Sequence, residues 1–448
     1  MRYRYRSEDE LKDSGVEWLG KIPKDWEVKK IKHLFELKKD KSDEENPTVL
    51  SLTQKGLRIR DVSNNEGQLA STYVGYTKIE KNDFILNPMD LISGYTDKAE
   101  IEGVISPAYT TFRSKNKVNI NHDYYKRYFQ MHYHHNFLFP WGEGVSFEHR
   151  WTLKNEVFLN LPVITNALEE QEKIANFLDE KTSQFDLIIS KKEKLIERLE
   201  EAKKSLISEV VTGKVKVVKT DAGYELMKKS SEEMKDSGVE WLGEIPKDWE
   251  YGQLKYLCSY ITDGAHISPE TENGVYPFLS VKDLKNGHLD FKNCLLTSSN
   301  NYEYLKRNSC NPKLGDVLIS KDGTIGKTVT IEYDKNFVVA SSLVILRPKK
   351  FLQSKYFEYI LNSKSVQEQI NSFVKGAALP RISITHLKEI LLPFTRDIIE
   401  QGDIVDYLSI ELNRIDSILY KINLQIEKIK EAKQSLISEV VTGKIEIL

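Results

Sequence analysis

Apolar residues recur in alternating steps of four and three through residues 167–211, the spacing of one narrow stripe along a helix. The stripe predicts a heptad seam at Ile174, Leu178, Phe185, Ile188, Leu195, Leu199 and Leu206, interrupted by Lys181 and Lys192. The same pattern returns 230 residues later at Ile404, Leu408, Ile415, Ile418, Ile422, Ile429 and Leu436. Neither stretch holds a proline. Each runs into Thr-Gly (Thr212-Gly213 and Thr442-Gly443), a helix stop. About 44 residues at ~1.5 Å rise give a rod of about 65 Å. A chain of two similar halves favours antiparallel pairing of the rods; the alternative is that each rod packs on its own globular half.

The segments before each rod carry a different period. Residues 276–284, 315–333 and 336–348 are short β-branched runs broken by Gly, Asp and Pro. Residues 81–95 and 103–114 are their counterparts in the first half. A helix-like stretch follows in each half, at 122–137 and 354–373. The fold class is therefore α+β: two mixed α/β domains alternating with two long helices that form an antiparallel coiled coil, as a pseudo-two-fold internal repeat. A short linker is expected at about 218–234.

The repeat is explicit at its edges. Residues 12–27, KDSGVEWLGKIPKDWE, return at 235–250 with one change, Lys21 to Glu244. Residues 201–214, EAKKSLISEVVTGK, return at 431–444 with one change, Lys204 to Gln434. Between these edges, 28–149 and 251–380 share almost no sequence. Edges that match while middles diverge suit a chain whose edges fit one kind of partner twice and whose middles fit two different targets; the alternative is chance drift in a tolerant middle.

Composition narrows the class. The chain has 448 residues, 29% of them charged, with a formal net charge of −2, so it is no generic polycation. Both middles carry a small excess of Lys/Arg interleaved with Tyr, Phe and Asn, which suits local phosphate contact. Three cysteines without CxxC spacing indicate a reducing, cytoplasmic setting, and no apolar run approaches a membrane span. Enzyme motifs are near misses. Gly323-Thr-Ile-Gly326-Lys327-Thr328 has two residues between its glycines where a phosphate loop needs four, and it reads as a hairpin turn. His132, His134 and His135 read as a solvated helix face rather than a metal site. No catalytic, cofactor-binding or metal-binding residue is assigned.

The doubled entry and exit segments, the Leu-Pro…Glu-Gln links (Leu161-Pro162…Glu170-Gln171 and Leu392-Pro393…Glu400-Gln401) and strand elements such as GDVLISKDGTIG together resemble the specificity subunit of type I restriction–modification systems. The resemblance covers essentially the whole chain. It implies a non-catalytic DNA-binding subunit serving defence against foreign DNA. Each middle would be a target-recognition domain reading one half of a bipartite, asymmetric site in double-stranded DNA. The coiled coil would set the spacer. Two methyltransferase subunits and the restriction/translocase subunits would dock on the chain, and S-adenosylmethionine, ATP and Mg²⁺ would belong to those partners. The implied divisions are a repeat element at 1–27, recognition domain 28–162, helical region 163–217, linker and second repeat element 218–250, recognition domain 251–393 and helical region 394–448.

Base edges in the major groove are read by Arg, Lys, Asn and Gln. The candidate DNA-contacting residues are Gln54, Lys55, Arg58, Arg60 and Arg150 in the first domain. In the second they are Lys282, Lys285, Lys321, Lys327, Lys375 and Arg381. Arg150 and Arg381 fall at matching places in the two halves, which points to backbone contact or support of the fold. Two other classes remain open: a structural coiled-coil scaffold without DNA specificity, and a catalytic protein of unfamiliar type.

Overall fold

The structure, a computed structural model, describes residues 2–62, 70–115, 119–144, 151–285, 287–374 and 380–448. They form two compact units, Met1–Lys192 with Asn423–Leu448, and Glu193–Ile422.

In the first unit a four-stranded antiparallel sheet runs in the order Phe35–Leu37, Thr110–Ser114, Phe84–Leu86, Thr96–Lys98. Helix His122–His134 starts where the Asn121 side chain accepts a hydrogen bond from the Tyr124 N–H, and it packs against the sheet. The core is aromatic. Phe35 meets Phe84, Phe112, Tyr125 and Phe129 edge-on, with ring centroids 5.3–5.7 Å apart. Edge-to-face pairs of this kind contribute about 0.5–1.5 kcal/mol each beyond area burial.

The second unit repeats that frame with an unrelated sequence. Its sheet runs Cys258–Asp263, Leu343–Pro348, Val317–Ser320, Thr328–Thr330, again antiparallel throughout. Aliphatic residues fill the place of the aromatics: Val317, Ile319, Val344 and Leu346 are buried against Tyr356, Phe357 and Ile360. The helical stretch expected at 354–373 is two helices, Ser354–Leu361 and Lys364–Ser372.

The two long helices are Leu168–Val211 and Ile398–Val441, 44 residues each. They pair antiparallel. In the first unit Asp186 takes the Lys433 ammonium at 2.6 Å and Lys192 donates to Gln425 at 2.7 Å, so partners descend as positions ascend. In the second unit Lys203 meets Asp416 at 2.5 Å, the same pair displaced by 230 residues.

Three of the fourteen predicted seam residues fall one position off the inward stripe. Ile174, Leu178, Phe185, Leu199, Leu206, Ile404, Leu408, Ile415, Ile422, Ile429 and Leu436 face inward. Ile188, Leu195 and Ile418 do not; they are 44%, 45% and 41% exposed. The inward positions between the shared ones are Thr182, Ile189, Ile196 and Lys203 in the first helix. In the second they are Leu412, Leu419, Ile426 and Lys433. The apolar doublets Ile188-Ile189 and Leu195-Ile196 leave two phases open, and packing selects the one that also carries Thr182 and the two ion-paired lysines.

The expected linker is a hairpin: Val215–Thr220 pairs with Gly223–Lys228. In the first unit Tyr3–Tyr5 pairs with Ile445–Ile447 in the matching register.

The repeated edges join the domains to the rods. Trp26 is buried and donates its indole N–H to Glu170 at 2.7 Å; Trp249 does the same to Glu400 at 3.1 Å. The neighbouring glutamine ties down the loop before the domain's helix. Gln171 accepts from the Asn121 N–H and donates to the Asn119 carbonyl, while Gln401 accepts from the Gln353 N–H and donates to the Phe351 carbonyl. Both glutamines are buried with every amide function used, which is the physical content of the Glu-Gln link.

Of the three histidines read as a solvated helix face, His132 belongs to the core. Its ring lies 4.8 Å from both Trp18 and Tyr128, its Nδ1 contacts the Tyr128 carbonyl, and burial pushes its pKa down to about 4. His134 and His135 are exposed.

Candidate DNA interface

The first domain presents a hairpin. Leu50–Thr53 pairs with Gly56–Ile59, and Gln54 and Lys55 occupy the turn. Gly56 sits at φ 101°, where a Cβ would lie 2.6 Å from the Asp97 carboxylate. That carboxylate accepts from the Leu57 N–H at 2.8 Å, and the Gln54 amide donates to the Ser93 carbonyl at 3.1 Å. The turn is thus fastened from beneath while Gln54, Lys55 and Arg58 stay exposed. Arg60 follows the strand, half-buried, its N–H bonded to the Val49 carbonyl. Lys55 and Arg58 have no side-chain partner among the described residues.

In the second domain the turn between Val317–Ser320 and Thr328–Thr330 carries the near-miss phosphate loop, and it is a hairpin connection as the sequence predicts. Ser320 organises it. Its hydroxyl donates to the Thr324 carbonyl at 2.6 Å and accepts from the Lys327 N–H at 2.9 Å. Gly323 and Gly326 hold φ of 70° and 82°. The Gln367 amide caps the Gly326 carbonyl at 3.0 Å. Beside this turn, the short helix Val281–Asp283 and the two-residue strands Leu284–Lys285 and His288–Leu289 bring Lys282 and Lys285 close to Lys327. Val281, Lys282, Leu284, Lys285, Thr324 and Lys327 line a concavity of about 390 Å³.

The structure sorts the second domain's basic candidates. Lys285 is bound to Asp290 at 2.7 Å, and this ammonium, first among several donors, holds the Asp290 carboxyl well below the usual range. Lys321 is largely buried and lies 3.3 Å from Asp263. Arg381 is bound to Asp322 at 2.7 Å, and its strand segment bridges to Asp322 as well. These three cations are partnered and brace loops. Lys282 and Lys327 are exposed and carry no side-chain partner among the described residues. Arg150 and Lys375 lie outside the described residues.

Among the described residues of the first domain, Thr152 takes the place that Arg381 holds in the second. Thr152 bridges to Glu143 three residues before helix Asn155–Asn160, and Arg381 bridges to Asp322 three residues before helix Ile384–Glu389. Buried Leu153 and Ile382 fix this phase, so Arg381 matches Thr152. Sequence reasoning also missed Thr324 and the bracing carboxylates Asp97, Asp263, Asp290 and Asp322. Short Asp residues in polar loops give no pattern to read.

Among the described residues no group of three His, Cys, Asp or Glu is placed to hold a metal, and no helix is long and apolar enough to cross a membrane.

The sequence matches the family described as the type I restriction modification DNA specificity domain twice, over residues 23–200 and 246–428. The chain belongs to this family. Each copy of the match spans one mixed α/β domain and most of the rod that follows it. The chain is 26% identical to the type I restriction enzyme MjaVIII specificity subunit of Methanocaldococcus jannaschii, over 95% of this chain and 94% of that one. It is 24% identical to the MjaIX specificity subunit of the same organism, over 99% and 98%. A solved structure from work on complex assembly and conformational transition of the type I restriction–modification system matches with a TM-score of 0.66. That match covers 94% of this chain and 99% of the other at 15% identity, and it supports the fold.

Proposed function

We propose that this specificity-family chain reads a bipartite, asymmetric DNA site, one half with each recognition domain, for a type I restriction–modification complex. The observation that carries the reading is one sheet frame built twice with unlike exposed surfaces. The first domain offers a hairpin with Gln54 and Lys55 at its turn and Arg58 exposed on its second strand, and the second a lysine-lined concavity beside a braced turn. Side chains of this kind suit base edges and phosphates. The long paired helices set the number of unread bases between the half-sites. The repeated edges dock two methyltransferase subunits, and restriction/translocase subunits join them. S-adenosylmethionine, ATP and Mg²⁺ act in those partners, and this chain performs no chemistry of its own.

Expression of the chain with its methyltransferase subunits in an unmethylated host, followed by mapping of modified bases, tests the proposal. It predicts one split sequence with a fixed spacer. Purified chain alone, supplied with S-adenosylmethionine, ATP and Mg²⁺, leaves plasmid DNA unmodified and uncut. Robust turnover by the isolated chain, or a modified sequence that is not split, contradicts the proposal.

A further inference from the structure

We propose that Lys282, Thr324 and Lys327 form a preassembled site for a backbone phosphate of bound DNA, and that Lys285 beside them does not share in it. The inference rests on the DNA-reading function above and deepens it by separating backbone contact from base reading in the second domain.

Three observations converge. First, these side chains line one concavity of about 390 Å³, roomy enough for a phosphodiester. Second, the turn that presents two of them is rigid before any ligand arrives. Ser320 is almost fully buried and ties the Thr324 carbonyl to the Lys327 N–H. Gln367 backs Gly326 so closely that a Cβ there would lie 2.4 Å from its amide oxygen. A site braced in this way loses little conformational freedom on binding. Third, the lysines differ in commitment. Lys285 is already neutralised by Asp290 at 2.7 Å, whereas Lys282 and Lys327 have no counter-ion among the described residues. Two free ammonium groups around a hydroxyl make a site for an anion. Ammonium groups act as point charges rather than planar forks, so they hold phosphate without reading sequence.

The test uses the chain assembled with its methyltransferase subunits and two duplexes, one carrying the mapped site and one scrambled. Affinity is measured across a salt series. Lys282→Ala and Lys327→Ala should each reduce the slope of log K against log salt by about 1 and weaken both duplexes alike, by on the order of five- to tenfold at ~0.1 M salt. Lys285→Ala should leave the slope nearly unchanged. Ser320→Ala should act as a milder Lys327→Ala, with the melting temperature recorded to separate lost positioning from lost folding. Inorganic phosphate at matched ionic strength should compete no better than chloride; strong competition would assign the site to a free anion and overturn the inference. Unchanged slopes in both lysine variants, or weakening confined to the mapped site, would also overturn it. If the unaltered complex bound neither duplex, the function it rests on would fall with it.

Discussion

Gly213 and Gly443 end the two long helices at φ of 72° and 74°. A Cβ on Gly443 would lie 2.5 Å from the Pro23 ring, and one on Gly213 would lie 2.4 Å from the Pro246 ring. The repeated exit segment therefore packs on the repeated entry segment within each unit, so the two motifs return together although far apart in the chain. Alanine at either glycine meets left-handed strain of about 1–2 kcal/mol and an overlap of about 1–3 kcal/mol. Urea unfolding should show a loss of about 2–4 kcal/mol for Gly443→Ala and for Gly213→Ala; a loss under ~0.5 kcal/mol would show that the joint is not tight. His132 adds a pH dependence. Its folded pKa of about 4 lies below its unfolded value of about 6.5, so the unfolded chain takes up the proton first. Stability from this residue is complete above pH ~6.5 and falls by about 1.4 kcal/mol per unit as the pH drops towards 4. His132→Phe should flatten that part of the stability–pH curve, and an unchanged curve would place the titration elsewhere.

At the scale of elements, the rods were legible in position and length, because a proline-free apolar period bounded by Thr-Gly leaves little freedom. Their phase was half legible. Ile174, Leu178 and Phe185 are apolar and inward, but Ile188 is apolar and outward beside inward Ile189. Choosing correctly needed the second helix, where Leu412 and Ile426 continue the true phase and Glu411 and Gln425 interrupt the false one. The lysines at 203 and 433 lie outside the predicted seam, yet each ends on an aspartate of the other helix, and their stems cover the seam. Ile426→Asn should cost about 2–4 kcal/mol and Ile418→Asn less than ~0.5 kcal/mol, since Ile426 is 5% exposed and Ile418 41%. Equal losses in thermal unfolding would contradict this phase. The sheets were legible as short β-branched runs, but their strand order was not, because pairing between distant runs leaves no local period. The basic candidates were legible as residue types. Which of them are free depended on Asp263, Asp290 and Asp322, which lie 5 to 59 residues from the cations they bind.

At the scale of the whole molecule, the proposed function makes the spacer between half-sites a property of the length of the two long helices. Inserting seven residues after Leu199 and seven after Ile429 keeps each seam in phase and lengthens each helix by about 10.5 Å. That is about 3 bp of B-DNA at ~3.4 Å per step. Methylation mapping should then return the same half-sites with a longer spacer, whereas a folded, DNA-binding variant with the original spacer would remove the helices from that role. The central claim is that each domain reads its own half-site, and one exchange addresses it most directly. Residues 28–149 are replaced by the corresponding segment of a relative with a different specificity, and modified bases are mapped in a host that also expresses the methyltransferase subunits. The account predicts that one half of the modified sequence changes while the other half and the spacer stay the same. A change in both halves, or in neither, would contradict it.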